Sequence, residues 1–188
     1  MKLRFTKIRE VKAPLRAHPT DAGVDFFVPT DLKANDIKNQ GTQPPRVDSF
    51  VTFKDSILIN DGSVRLFIRD GKITEFSMGP HSSILLPLGV KVSFDNNHAL
   101  IFFNKSGVAA NKHLVVGSCV VDSEYQGELI LNLNNISNRT VSFNAGDKII
   151  QGIILPVICA EVDECENEAS LYSKESNRGS GGFGSTGN

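Results

Sequence analysis

No stretch of this chain sustains the 3.6-residue apolar repeat of a long helix. Its apolar residues come instead in short runs, each four to ten residues long and closed off by Gly, Asn, Asp or Pro. Ile84-Leu85-Leu86 stands ahead of Pro87, residues 89–94 alternate, and residues 99–103 follow the polar Asp95-Asn96-Asn97. Residues 128–133, 141–143 and 148–157 continue the pattern with β-branched and aromatic side chains. Such runs cannot be long amphipathic helices; they predict a mainly antiparallel all-β fold, a sandwich or jelly-roll-like barrel. The one helical turn expected is residues 108–112, Val-Ala-Ala-Asn-Lys, where Ala and Lys favour helix.

A separate small meander is expected at residues 46–78. Asp61-Gly62 and Asp70-Gly71 each read as a two-residue hairpin turn, dividing strands at 50–60, 63–69 and 72–76. In the middle strand Val64, Leu66 and Ile68 would share one face, with Arg65, Phe67 and Arg69 on the other. Residues 41–45 read as a loop, and 35–78 as a whole as an insertion in a single domain spanning 1–188. From 161 to 177 the chain is polar and acidic, a linker, before a Gly- and Ser-rich arm that ends at Asn188.

A chain of 188 residues with 40% apolar residues fills one core. Its 20 basic residues nearly balance 21 acidic ones, giving a net charge of −1, unlike a generic nucleic-acid coat, so no nucleic-acid partner is expected. No apolar run reaches the roughly 20 residues that span a bilayer, and the first residues lack a signal peptide's apolar stretch. A cytoplasmic location without membrane contact is expected. Cys119, Cys159 and Cys165 form no C-x-x-C pair, which argues against a disulfide framework. His18, His81, His98 and His113 have no metal-ligand spacing, which argues against a zinc site.

Five stretches have the residue types for chemistry. In the tail, Gly182-x-Gly184-x-x-Gly187 has the spacing of a dinucleotide fingerprint, but no helix can follow it. Two readings remain: a flexible tail, or a lid in which glycine amides, Ser185, Thr186 and Arg178 suit phosphate oxygens while Phe183 offers a flat face to a base. The second stretch, Asn104-Lys105-Ser106-Gly107, joins a strand to the helical turn and reads as an anion site or as a capped helix start. The third, residues 116–128, carries Asp122, Glu124 and Tyr125 where two strands meet. Asp122 there suits a general base and Tyr125 a sugar-packing ring; an ordinary polar hairpin is the alternative. The fourth is Asp21-Ala22-Gly23-Val24-Asp25-Phe26, a small-residue approach to a carboxylate or a turn into a strand. In the fifth, residues 146–152, Gln151 interrupts an apolar strand and needs a partner.

In this order the five stretches resemble the motifs of the trimeric dUTP pyrophosphatase (dUTPase) family: A-G-x-D-[LI], R-S-G, G-V-[IV]-D-x-D-Y-x-G, G-[DE]-[RK]-[IL]-x-Q and R-G-x-G-G-F-G-S-[ST]-G. The resemblance covers residues 1–30 and 79–188 and leaves the meander outside. It implies a distorted jelly-roll barrel, a homotrimer, and Mg2+-dependent hydrolysis of dUTP to dUMP and pyrophosphate. That reaction keeps uracil out of DNA and supplies dUMP for thymidylate synthesis. By resemblance, Asp122 is the base that activates water and holds the 3′-hydroxyl, and Tyr125 packs on deoxyribose and leaves no room for a ribose 2′-hydroxyl. Gly117 and Cys119 lie in the hairpin that reads uracil, while Lys105, Ser106, Gly107 and Gln151 contact phosphates. Asp25 holds Mg2+ through water, and Arg178, Phe183, Gly184, Ser185 and Thr186 form the closing arm. The resemblance also implies sites shared among three subunits.

The chain departs from these motifs in four places. Lys105 stands for Arg, which removes a planar bidentate fork. Glu124 stands for the second Asp and Phe26 for Leu or Ile. Cys119 stands for Gly and would be strained if that position needed a positive φ. The insertion, with mixed charges, reads as decoration or as a partner-docking surface. Extra segments of this kind in the family point to a viral or phage source, and then to the host cytoplasm. Two rivals are a dCTP deaminase, against which the Asp122-x-x-Tyr125 hairpin and the arm argue, and a regulator signalling through residues 46–78.

Overall fold

In the computed structural model, residues 1–37, 51–53, 55–59, 62–172, 174, 176 and 179–180 are described, and the short apolar runs are antiparallel strands. In chain order these are β1 (Arg4–Lys7), β2 (Val24–Phe27), β3 (Val51–Phe53), β4 (Ser56–Ile59), β5 (Val64–Arg69), β6 (Lys72–Met78) and β7 (Ser83–Pro87). They continue as β8 (Val90–Ser93), β9 (His98–Phe103), β10 (Leu114–Val116), β11 (Val120–Asp122), β12 (Ile130–Asn135), β13 (Val141–Asn144) and β14 (Lys148–Pro156). Helices are sparse, as expected: a 3-10 turn at Ala34–Asp36, α1 (Ser106–Lys112) and α2 (Glu168–Leu171). The strands form sheets ordered β1-β8, β10-β12-β7, β11-β9-β14-β2 and β13-β6-β5-β4-β3. The all-β, jelly-roll-like class read from the sequence is the one observed.

Burial follows the alternation. In β12, Leu131, Leu133 and Asn135 face inward between half-buried neighbours. Inward-facing Asn135 is satisfied by donating to the backbone carbonyls of Met78, Gly79 and Arg139 at 3.1, 2.8 and 2.8 Å. Two aromatic contacts reinforce strands within a sheet: Phe26 of β2 meets Phe102 of β9 edge-on across β14 with centroids 5.5 Å apart, and Phe76 of β6 stacks on its partner Phe143 of β13 at 4.7 Å.

The meander is not separate. β6 pairs with β13, from Val141↔Met78 to Asn144↔Glu75, and Val64, Leu66, Ile73, Phe76 and Met78 belong to the same buried cluster as Leu86, Leu100 and Phe143. The expected first strand, 50–60, is in fact two, β3 and β4, paired antiparallel with Phe53 opposite Ser56. The polar residues between them break the apolar run, and Asp55 accepts from the Ile68 amide at 2.9 Å. A bulge between Phe67 and Ile68 interrupts β5, so Val64 and Leu66 are buried while Ile68 is only half-buried. The turn at Asp70-Gly71 has positive φ at both positions, 52° and 73°, the geometry that Asp-Gly favours. The expected loop at 41–45, and Asp61 of the other turn, lie outside the described residues.

Helix α1 begins two residues before the expected 108–112, with extended Lys105 as its N-cap. It ends where His113 takes a left-handed conformation at φ 53°. Residues from Met1 to Val157 form one unit and those from Ile158 onward a second. In the second unit the expected linker holds one helical turn, α2, capped by Asn167, whose side chain accepts from the Ser170 amide at 3.1 Å.

Candidate functional site

The sheet β11-β9-β14-β2 brings four of the five motifs onto neighbouring strands. Its register sets Gln151 of β14 between Phe103 of β9 and Asp25 of β2. Asn104 and Lys105 leave the end of β9 beside them, so Asp25, Lys105 and Gln151 gather from three distant parts of the sequence.

Asp25 is buried at 5% exposure, and both of its carboxylate oxygens are taken. Lys105 Nζ donates to Oδ1 at 2.7 Å and Lys148 Nζ lies 2.8 Å from Oδ2. Burial pushes the Asp25 carboxyl up. The hydrogen bonds and charges of the two lysines outweigh it and hold the group below the usual carboxylate range. Two ammoniums on one carboxylate leave the cluster with a single net positive charge at the mouth of α1. Lys148 is a member that the sequence reading missed. Its place in the fourth motif, immediately after Asp147, was the available signal.

Gln151 has the partner its sequence context demanded: Nε2 donates to the Asn104 carbonyl at 2.9 Å. Asn104 in turn accepts from the Val116 amide at 2.8 Å, which fixes the strand end against β10. Gly23 makes room for this amide, since a Cβ there would collide with Gln151 Oε1. Ser106 and Gly107 are exposed in the first turn of α1. Gly107 has open space around it.

The third motif occupies the other end of β9. Asp122 closes β11 opposite Ala99, whereas Gln151 and Asp25 sit at the level of Phe103. Four residues of strand separate the two levels, about 13 Å at 3.3–3.4 Å per residue. Asp122 is exposed, and its carbonyl accepts from the Tyr125 amide at 3.1 Å. Tyr125 is 44% exposed, with its hydroxyl donating to the Glu128 carbonyl at 2.9 Å.

Gly117 donates to the Asn132 carbonyl at 2.8 Å and packs so tightly on Asn134 that a Cβ would lie 2.5 Å from its Nδ2. Cys119 is half-buried and absent from the described positive-φ residues, and its carbonyl accepts from Phe102 at 2.8 Å. The strain considered for Cys at this position therefore does not arise. Arg178, Phe183, Gly184, Ser185 and Thr186 lie outside the described residues.

Among the described residues no group of three or more His, Cys, Asp or Glu side chains is placed to hold a metal ion. No helix there is long and apolar enough to cross a membrane.

Residues 72–187 match the family model described as dUTPase. The match starts at the first residue of β6, so the last strand of the expected insertion belongs to the matched region, as its pairing with β13 requires. A deoxyuridine 5'-triphosphate nucleotidohydrolase of Helicobacter pylori (strain Shi470) is 38% identical over 117 residues, covering 61% of this chain and 77% of the relative. One of Legionella pneumophila (strain Philadelphia 1) is 36% identical over 130 residues, covering 68% and 82%. Among solved structures, a mutant Staphylococcus bacteriophage 80alpha dUTPase with dUpNHpp superposes with a TM-score of 0.67 at 19% identity, covering 99% of this chain and 98% of that one. That last likeness speaks for the fold; the family match across more than half of the sequence speaks for descent. The chain belongs to the dUTPase family.

Proposed function

We propose that this protein hydrolyses dUTP to dUMP and pyrophosphate, with Asp122 activating the water that attacks the α-phosphorus. The reaction itself follows from family membership and from the relatives it is aligned with. The observation that carries the residue roles is the arrangement along β9. A net-positive cluster suited to phosphate oxygens lies at one end, and at the other the exposed Asp122, three residues ahead of the exposed Tyr125. Lys105, the exposed first turn at Ser106 and Gly107, and Gln151 bind the triphosphate. Tyr125 packs on deoxyribose. The hairpin around Gly117 and Cys119 reads uracil through backbone groups, excluding cytosine because its donor and acceptor pattern leaves buried groups unpaired.

Asp122 accepts the proton of the attacking water as the Pα–O bond forms and the bond to the bridging oxygen breaks, with pyrophosphate leaving. Mg2+, when bound, neutralises charge on the phosphates. By family resemblance Asp25 would hold that ion through water; each of its oxygens accepts from one lysine and keeps a second lone pair for a water. The separation of Asp122 from Lys105 along β9 supports a homotrimer in which one subunit supplies the phosphate cluster and a neighbour the Asp122 hairpin. By family resemblance, Arg178, Phe183, Gly184, Ser185 and Thr186 bind the nucleotide. The protein works in the cytoplasm, that of the host if its source is a phage.

The insertion is proposed to dock a protein partner through its outer strand, β3, which ends the five-stranded sheet. Because β5 and β6 complete the core, its removal is not a neutral test, and point changes in β3 are the better probe.

Pyrophosphate release from dUTP, dCTP, dTTP and UTP with magnesium tests the reaction. Turnover of dUTP alone, abolished by Asp122→Asn with dUTP binding retained, is the expected result. Equal turnover of dCTP or UTP would refute the assigned pocket.

A further inference from the structure

Glu128 closes the turn that carries Asp122 and Tyr125, and its carboxylate is held from two directions. Arg9 donates to it through Nε at 2.7 Å and Nη2 at 3.1 Å, a bidentate pair, and the Gly89 amide donates to Oε1 at 2.9 Å. The remaining Arg9 nitrogen, Nη1, lies 3.2 Å from Asp36 Oδ1. The three side chains are only 22%, 16% and 26% exposed for Arg9, Glu128 and Asp36, so water competes weakly for these bonds.

The backbone around the pair is equally fixed. Ile8 donates to the Gly89 carbonyl and Leu129 to the Val90 carbonyl, both at 2.9 Å. What hangs from this anchor is Tyr125: its hydroxyl donates to the Glu128 carbonyl, and its ring folds against Gly127, where a Cβ would collide with the hydroxyl. Neither Arg9 nor Glu128 belongs to the chemistry assigned above.

We propose that Arg9 is a positioning residue for sugar selection: its grip on Glu128 fixes the carbonyl that orients Tyr125, and with it the wall that rejects a ribose 2′-hydroxyl. The inference rests on the reading of Tyr125 as the sugar-packing residue. Steric rejection of one hydroxyl depends on where that wall stands to within a fraction of an ångström, so loosening its anchor costs selectivity. Asp36 makes the guanidinium a three-way junction between the N-terminal strand, the Tyr125 turn and the segment that leads into the insertion. A change at Asp36 acts in the same direction, more weakly.

The test is the ratio of kcat/KM for dUTP to that for UTP in the full-length protein carrying Arg9→Met, Arg9→Lys, Glu128→Gln or Asp36→Asn, with Tyr125→Ala as reference. Arg9→Met is expected to lower the ratio about tenfold, as loss of a charge-assisted bidentate pair allows. Lys is expected to restore part of it, and Arg9→Met with Glu128→Gln to lose no more than the larger single change. Should Arg9→Met fail to fold, Glu128→Gln decides, because its amide oxygen still accepts from Gly89 while the charge and one of the two acceptors for Arg9 are lost. Equal losses toward dUTP and UTP, with the ratio unchanged, would show a merely structural pair and overturn the proposal. An unchanged ratio in Tyr125→Ala would instead overturn the reading of Tyr125 on which it rests.

Discussion

Lys105 and Asp25 are 80 residues apart in sequence, yet Lys105 Nζ sits 2.7 Å from Asp25 Oδ1, with Lys148 on the second carboxylate oxygen. One buried acid thus organises the cations of two motifs. Its removal does more than delete a charge: Asp25→Asn leaves two ammoniums facing one another at the strand end. The pair is partly open to water on the lysine side, so the cost is smaller than for a fully buried triad, about 1–3 kcal/mol of folding stability. Chemical denaturation is expected to show a lowered midpoint at unchanged slope. A midpoint equal to wild type would mean that the cluster contributes nothing to the fold.

The same carboxyl predicts an acid limit. Its folded-state pKa lies below the ordinary value because the lysine bonds outweigh its burial. Stability from the pair is therefore fully present above the unfolded value of about 3.9 and is lost as pH falls through the lower folded value. Wild-type stability is expected to drop more steeply than that of Asp25→Asn below about pH 4. Parallel acid-denaturation curves for the two proteins would show that the Asp25 carboxylate does not set the acid limit.

Gly152 and Gly23 predict two different failures from the same Gly→Ala change. At Gly152 a Cβ would lie 2.7 Å from Leu100 Cδ1 and 3.0 Å from Phe26 Cε2, inside the core of β14. Overpacking there is expected to destabilise the fold by about 1–3 kcal/mol. At Gly23 the clash is with Gln151 Oε1, beside the Asp25–Lys105–Lys148 cluster. Its alanine variant is expected to keep most of its thermal stability and to lose dUTP turnover. Thermal melts and turnover on both variants check the contrast, which reversed losses would contradict.

The sequence showed strands wherever turn residues bounded short alternating runs, and the motif order placed Asp25, Lys105, Asp122 and Gln151 before any geometry. It hid features set by long-range pairing. Nothing local says that β6 lies beside β13, 63 residues on at Met78↔Val141, so the meander read as separate although its apolar face completes the common core. The break between β3 and β4 was masked by apolar residues on both sides of one polar turn. Lys148 was given no role, because its partner Asp25 lies across the sheet. Arg9 and Glu128 were invisible for the same reason: their bond spans 119 positions.

The proposed dUTP-hydrolysing site draws on both ends of β9 in different copies of the chain. It is tested most directly by co-expressing two inactive variants, Asp122→Asn and Lys105→Ala, with separate tags, and measuring dUTP turnover by the doubly tagged assemblies. Each variant alone is expected to be inactive. Doubly tagged trimers, with two chains of one variant and one of the other, are expected to recover roughly a third of wild-type turnover, because one of their three sites joins an intact Lys105 to an intact Asp122. Mixed assemblies that stay as inactive as their parents would contradict the claim, since Asp122 and Lys105 would then have to act within one chain.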